Sequence, residues 1–234
     1  MQILGWIIRG KLQELGYNIL TDLLAIKQSV IVSYYAPRRA PIYRFVRKVI
    51  KESKAKIIVN EGYQLAQAVI ATRHIEGDIA EVGVYTGGSA KIISHYRKKR
   101  KKLYLFDTWE GLPQPSKKDS DTLRRGVFKI SLDRVRAYFT NEENVYFHRG
   151  LFPSETGRFV KNKHFSFVNL DADLYDSTLD SLRFFYPRLN KGAILISHDY
   201  SLFIGVYNAF NEFFKDKPES IIELSGSQCL IVKL

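Results

Sequence analysis

Two clusters of acidic residues follow apolar runs in the later part of this 234-residue chain. Phe167-Val-Asn-Leu leads into Asp171-Ala-Asp173-Leu-Tyr175-Asp-Ser177-Thr178, and Gly192-Ala-Ile-Leu-Ile-Ser leads into His198-Asp199-Tyr200. Such runs read as parallel strands buried on both faces, and open α/β sheets bind ligands beyond the carboxyl ends of their strands. Asp171 and Asp199 are therefore expected on one rim of one sheet. Paired carboxylates there suit a hard divalent cation that keeps open positions for water and substrate oxygens. The alternative is that each aspartate caps the helix that follows it. His198 is a further ligand, a general base titrating near neutrality, or a histidine hydrogen-bonded at the sheet edge. One ring nitrogen cannot be ligand and base at once.

A second constellation lies upstream. Glu81-Val-Gly83-Val-Tyr85-Thr86-Gly87-Gly88-Ser89 leaves one strand and opens a helix. Its glycines allow a tight bend and close approach to a ligand, and the helix start offers free N–H groups. The spacing is neither Gly-x-Gly-x-x-Gly nor a phosphate-binding loop. Glu81 ahead of the glycine suits an ammonium or hydroxyls better than a pyrophosphate, although a structural turn would use Gly83 and Gly87 equally well. The next strand, Leu103–Asp107, ends in an acid that could accept hydrogen bonds from both ribose hydroxyls of an adenosine-containing cofactor. A cap fits Asp107 poorly, because Trp109-Glu-Gly111-Leu-Pro113 is a turn and not a helix start. His148, at a strand end, is a weaker base candidate than His198.

These residues need a scaffold to converge. From Gly77 onward the chain alternates strand and helix. Strands are predicted at 78–82, 103–107, 144–148, 166–170 and 193–197, with helices at 88–97, 131–139, 178–189 and 204–215. The tail differs: strands at 220–224 and 228–233 are separated only by Ser225 to Ser227, a link that joins antiparallel neighbours alone. The expected fold is α/β, with five parallel-type strands plus a C-terminal antiparallel hairpin. Residues 1–60 read as an N-terminal helical arm, and 61–234 as the main domain. Ile3, Leu4, Ile7, Ile8, Leu12, Leu15 and Ile19 recur at helical spacing, Pro37 and Pro41 mark a break, and 42–54 resumes a basic amphipathic helix. Burial against protein, or pairing with a second subunit, is the expected role of the arm; the competing one is contact with an anionic membrane surface. Gln114 to Gly126 is too polar for core and is expected to be a mobile lid, or else a surface loop without function. Ser177 and Asp180 fit a helix capping box.

Composition narrows the classes. Forty-five per cent apolar residues can bury a large core, and the single cysteine, Cys229, excludes an internal disulfide and fits a reducing cytosol. The longest uncharged run, Tyr200 to Asn211, is too short for a membrane span. The net charge of +12 draws anionic partners such as nucleic acid, phospholipid or a phosphorylated substrate. Arg97-Lys-Lys-Arg-Lys-Lys102 is the densest basic run, and an ordinary solvated surface accounts for it.

Taken together, Gly77-Asp-Ile-Ala-Glu-Val-Gly-Val-Tyr-Thr-Gly-Gly-Ser89, Phe106-Asp-Thr-Trp-Glu-Gly-Leu-Pro113 and Asp171-Ala-Asp-Leu-Tyr-Asp-Ser-Thr178 resemble the macrocin O-methyltransferase family. The likeness runs in order through roughly residues 75 to 215. It implies a class I, Rossmann-like methyltransferase with a seven-stranded sheet, S-adenosylmethionine as cofactor and Mg²⁺ or Mn²⁺ as metal. It implies that Glu81, Gly83, Tyr85, Thr86, Gly87, Gly88 and Ser89 hold the methionine part, that Asp107, Thr108 and Trp109 hold ribose and adenine, and that Gly150 lies near the adenine. Asp171 and Asp199 match the family's metal positions. His198 departs from the pattern, which has a second acid there, and resembles a broader group of methyltransferases with His-Asp at this point. An imidazole ligand moves preference from Mg²⁺ toward Mn²⁺, Fe²⁺ or Zn²⁺.

The resemblance implies methylation of a sugar hydroxyl on a small-molecule or glycan acceptor, and the charge would suit a phosphate- or lipid-linked one. Tyr200, Phe203 and Tyr207 would then stack on a sugar ring, or form a core stripe. Two other readings stand beside it: an RNA methyltransferase, disfavoured because paired acids repel phosphate, and a non-catalytic, basic, membrane-associated or subunit-pairing protein. The expected location is cytoplasmic, or peripheral at the inner face of the membrane.

Overall fold

The computed structural model describes residues 37–234. The periodic stretch from Ile3 to Ile19, and with it most of the expected N-terminal arm, lies outside the described residues. What is described begins with a short 3₁₀ turn, Pro37–Arg39, and two helices, α1 (Ala40–Ser53) and α2 (Val59–Ala71). The alternating part follows: β1 (Asp78–Val82), α3 (Gly88–Tyr96), β2 (Leu103–Asp107), α4 (Leu132–Tyr138), β3 (Val145–Arg149), β4 (Phe165–Leu170), α5 (Tyr175–Phe185), β5 (Leu189–Ser197) and α6 (Ile204–Phe214). β6 (Ile222–Glu223) and β7 (Cys229–Val232) close the chain.

The seven strands form one sheet in the order β3-β2-β1-β4-β5-β7-β6. β1 pairs in parallel with both β2 and β4, β2 with β3, and β4 with β5. β7 runs antiparallel to β5 and to β6. This is the arrangement expected from the sequence, five parallel-type strands plus a C-terminal antiparallel hairpin. Its strand order reverses at β1, so the crevice beyond the ends of β1 and β4 is where a ligand site belongs.

Alternation along the strands divides the core into two. Ile79, Leu103, Leu105, Phe167 and Ile196 face the side covered by α1 to α4, where Val46, Leu65, Val69, Ile92 and Val135 meet them. Ala80, Val82, Tyr104, Phe106, Val168 and Leu195 face the other side, against Leu182, Phe185, Val206 and Phe210 of α5 and α6. Tyr43, Val46 and Val49 of α1 belong to the first cluster, so this part of the expected arm is packed into the core. Each fully buried side chain of this size contributes roughly 1.5–3 kcal/mol by its removal from water.

The observed elements differ from the expected ones in places that bear on the site. α5 begins at Tyr175 and not at Thr178, with Leu174 at the cap position, which puts Ser177 inside the first turn and removes the proposed capping box. Its first turn is held from elsewhere: Tyr175 donates its backbone N–H to Asp119 Oδ1 at 2.6 Å. β5 starts at Leu189, so the segment expected to end that helix instead opens a strand.

Candidate active site

Residues at or just beyond the ends of β1, β2, β4 and β5 line one continuous cleft of about 410 Å³. At the switch point, Gly83 has φ +81° and its Cα lies so close to the Asp171 carbonyl that any Cβ would collide with it. Only glycine permits that approach. The Asp171 N–H donates to the Val82 carbonyl at 2.8 Å, locking the two strand ends together. Tyr85, Trp109, Asp173 and Asp199 all take positive φ, between 46° and 59°, just beyond strand ends. For residues other than glycine that conformation costs of order 1–3 kcal/mol each, and such positions cluster at functional sites.

On the β2 side, Asp107 organises the loops. Its Oδ2 accepts the N–H groups of Val84 and Tyr85 at 2.8 Å each, and its Oδ1 accepts that of Trp109 at 2.7 Å. An ionised carboxylate offers about four lone-pair sites, so Asp107 keeps room for one further donor, not two. Thr108 and Gly150 line the cleft beside it, with Phe106, Leu151 and Phe152. Trp109 does not: it is buried among Phe147 and the helix-covered core.

The Glu81 to Ser89 segment divides likewise. Gly83 and Tyr85 line the cleft, whereas Glu81, Thr86, Gly87, Gly88 and Ser89 lie outside its wall. A Cβ at Gly88 would sit 2.7 Å from Ser53 Oγ, because the α1–α2 link crosses the start of α3. That link puts Lys56 in the cleft wall instead. Glu81 is fully buried and accepts Asn169 Nδ2 at 2.8 Å. Burial pushes its carboxyl up to about 8, with the nearby charges of Asp171 and Asp107 adding to the rise. Its Oε2 and Asn169 Oδ1 are both buried acceptors without a donor. A proton on Glu81 supplies one.

On the β4 and β5 side the acids meet. One donor atom from each of Asp171, His198 and Asp199 lies within 4.8 Å of the others. His198 Nδ1 is 3.0 Å from Asp199 Oδ2 and 3.4 Å from Asp171 Oδ1, yet it is buried and aligned with neither as a hydrogen bond. Ligands about 2.1 Å from a cation and at right angles would be about 3.0 Å apart, so the spacing fits a shared divalent ion. The electrostatics agree. Burial raises the Asp171 carboxyl and, with the charges of Asp171 and Asp199, raises that of Asp173 much further. Burial alone would lower the His198 imidazole, but Asp199, Asp171 and Glu61 outweigh it and hold it well above its ordinary value. The cluster gathers carboxylates around one imidazole, a donor set that could hold a divalent cation.

Two participants were not singled out in the sequence. Glu61, on α2, reaches His198 Nε2 with its Oε2 at 3.1 Å. It is the one charged residue in the thirteen of α2, and that signal could have marked it. Asp173 also lines the cleft.

The polar segment from Gln114 forms a loop closed at its neck: Leu112 donates to the Val127 carbonyl at 2.8 Å and Gly126 to that of Leu112 at 2.9 Å. Thr122 and Leu123 extend from it over the cleft. Asp119 latches it, accepting Ser116 N–H at 2.6 Å through one oxygen and Tyr175 N–H through the other. His148 stacks between Phe106 and Phe159, outside the cleft wall. Phe203 lines the cleft, whereas Tyr200 and Tyr207 stack on each other beside Phe210. Among the described residues no helix is long and apolar enough to cross a membrane.

Comparison with known proteins follows the same lines. Residues 61–223 match the family model described as Macrocin-O-methyltransferase (TylF). The chain is 26% identical, over 70% of its length and 74% of the other's, to the 8-demethyl-8-(2,3-dimethoxy-alpha-L-rhamnosyl)-tetracenomycin-C 4'-O-methyltransferase of Streptomyces olivaceus. It is 26% identical to the demethyldecarbamoylnovobiocin O-methyltransferase of Streptomyces niveus, over 60% of this chain and 59% of that one. Among solved structures, the O-methyltransferase NovP superposes with a TM-score of 0.68 at 22% identity, covering 76% of this chain and 81% of NovP.

Proposed function

The chain belongs to the macrocin O-methyltransferase family and is thus an S-adenosylmethionine-dependent O-methyltransferase; we propose that its acceptor is a hydroxyl of a sugar or glycosylated small molecule, and that it works with a divalent cation held by Asp171, His198 and Asp199. The observation that carries the metal half is the convergence of those three donors, with an orphaned buried nitrogen among them, in the wall of the cleft. The acceptor class is supported by the two curated relatives, whose names specify a rhamnosyl-bearing compound and a novobiocin precursor.

S-adenosylmethionine, when bound, supplies a methyl group on a sulfonium, open to in-line attack. A divalent cation, when bound, supplies Lewis acidity at the end of the cleft where an acceptor hydroxyl must lose its proton. The chain's own residues do the rest. Gly83 and Tyr85 shape the methionine end, Asp107 keeps the two flanking loops in register, and Gly150 with Phe152 borders the adenine end. His198 points Nδ1 at the two aspartates and Nε2 at Glu61, which supports a ligand role over that of base. Asp173, the carboxylate of the cleft wall left over, is assigned the proton of the acceptor. Leu123 of the loop and Leu202 with Phe203 exclude water from the reacting centre. The RNA reading rests on net charge alone, which supplies non-specific attraction only.

The test is methyl incorporation from S-adenosylmethionine into a panel of glycosides and nucleotide-linked sugars. Activity on a member of that panel, abolished by EDTA and restored by Mn²⁺ or Mg²⁺, supports the reading. Transfer that is indifferent to EDTA refutes the metal half, and methylation of RNA but no glycoside refutes the acceptor half.

A further inference from the structure

We infer that Glu61 is a positioning residue for the cation: its carboxylate meets His198 Nε2 and so holds the ring with Nδ1 directed at Asp171 and Asp199. This inference rests on the proposed metal site and names the residue that sets one of its ligands.

The argument is geometric. An imidazole offers one nitrogen to a metal only if the other carries the hydrogen, and which nitrogen does so is decided by what the second one meets. His198 Nε2 meets Glu61 Oε2 at 3.1 Å, and both side chains are almost wholly buried. The other nitrogen, Nδ1, has no hydrogen-bond partner and faces the two aspartates. Glu61 is itself fixed from two directions. Its Oε2 accepts the Ile58 N–H at 2.9 Å, and its Oε1 accepts both the N–H and the hydroxyl of Ser227 at 2.8 Å. Ser227 also takes the Asp199 N–H on its hydroxyl oxygen at 3.3 Å. Glu61 therefore joins the start of α2, the β6–β7 hairpin and the end of β5 around one imidazole. A carboxylate that served only to pin the hairpin would need Ser227 and Ile58 but not the ring. Gly226 packs so closely on Glu61 that a Cβ there would lie 2.6 Å from Oε1, which leaves the carboxylate little freedom to turn away.

Two variants test it, each titrated calorimetrically with Mn²⁺ and, separately, with S-adenosylhomocysteine. Glu61→Gln keeps the volume but puts an amide N–H₂ either on the ring or on Ser227. Ser227→Ala leaves the Glu61–His198 contact and removes one support. The expected result is Mn²⁺ binding weakened about 10–100-fold in Glu61→Gln, the range for loss of an outer hydrogen-bond partner of a ligating histidine. Ser227→Ala should weaken it several-fold, and S-adenosylhomocysteine affinity should be unchanged in both. A second readout is the ¹⁵N resonance pair of His198 in protein saturated with Zn²⁺: the wild type should show Nδ1 bound and Nε2 protonated, and Glu61→Gln should lose that pattern. Mn²⁺ affinity and ring signals in Glu61→Gln that match the wild type overturn the inference while leaving the metal site standing. A wild type that binds no divalent ion overturns both.

Discussion

The two halves of the cleft rim use acids in opposite ways. At the end of β2, Asp107 spends its oxygens on three backbone N–H groups of the chain itself. At the ends of β4 and β5, Asp171, Asp199 and His198 direct their donor atoms at one another, and a buried nitrogen goes without a hydrogen bond. The lesson is that a strand-end aspartate is not a ligand site by position alone. What distinguishes the two halves is whether the polypeptide already satisfies the carboxylate. One half holds its loops still, and in the other the chain leaves a buried ring nitrogen unpaired between two carboxylates.

The largest effect that would break this contrast is in the unsatisfied half. Asp171→Asn should lower methyl transfer by about 10³-fold, since metal polarisation is worth several kcal/mol in the transition state. The same variant should keep its fold, as judged by thermal unfolding, because Asp171 is anchored through its backbone to Val82. Activity within a few-fold of the wild type would erase the distinction between the halves.

Asp107→Asn probes the satisfied half and should behave differently. An amide nitrogen would face backbone donors on one side, and charge-assisted hydrogen bonds are worth about 1.5–3 kcal/mol each. Stability should fall by about 2 kcal/mol, a shift of roughly 4–8 °C for a chain of this size. S-adenosylhomocysteine should bind roughly tenfold more weakly, while Mn²⁺ affinity stays unchanged. Loss of metal binding in this variant would merge the two halves.

Much of this contrast could be read in the sequence, and the part that could not has physical reasons. Strands buried on both faces announce themselves as apolar runs, so β1, β2 and β4 fell within a residue of their expected bounds. The convergence of Asp171, His198 and Asp199 was legible because chemistry-bearing residues stand where those runs stop. The start of α5 was not legible, because its first N–H is held by Asp119, 56 residues earlier in the chain. Leu189 to Lys191 did not read as strand, since Asn190, Lys191 and Gly192 lack the pattern and sheet pairing imposes the conformation. Which of Thr86 to Ser89 would face the cleft depended on where the α1–α2 link crosses α3, a tertiary fact. Glu61 is the instructive omission: its role depends on an imidazole 137 positions away.

A smaller effect sharpens the comparison from beneath the rim. Glu81 is raised to about 8 by burial, above its ordinary 4.5. An acid so raised keeps its proton in the folded state while the unfolded chain loses it, so the folded protein binds more protons between those values. Stability must then fall as pH rises from about 4.5 to about 8, and level off above. Glu81→Gln is neutral at every pH and removes that slope. Its melting temperature relative to the wild type should rise by a few degrees between pH 5 and pH 8, with little change from pH 8 to pH 9. A difference that stays flat across that window would mean Glu81 is ionised in the fold.

The most direct measurement is a calorimetric titration of Mn²⁺ into protein saturated with S-adenosylhomocysteine, wild type beside Asp199→Asn. The account predicts one cation per chain in the wild type and at least a hundredfold weaker binding in the variant, with S-adenosylhomocysteine still bound. No saturable uptake by the wild type, or equal uptake by both proteins, would contradict it.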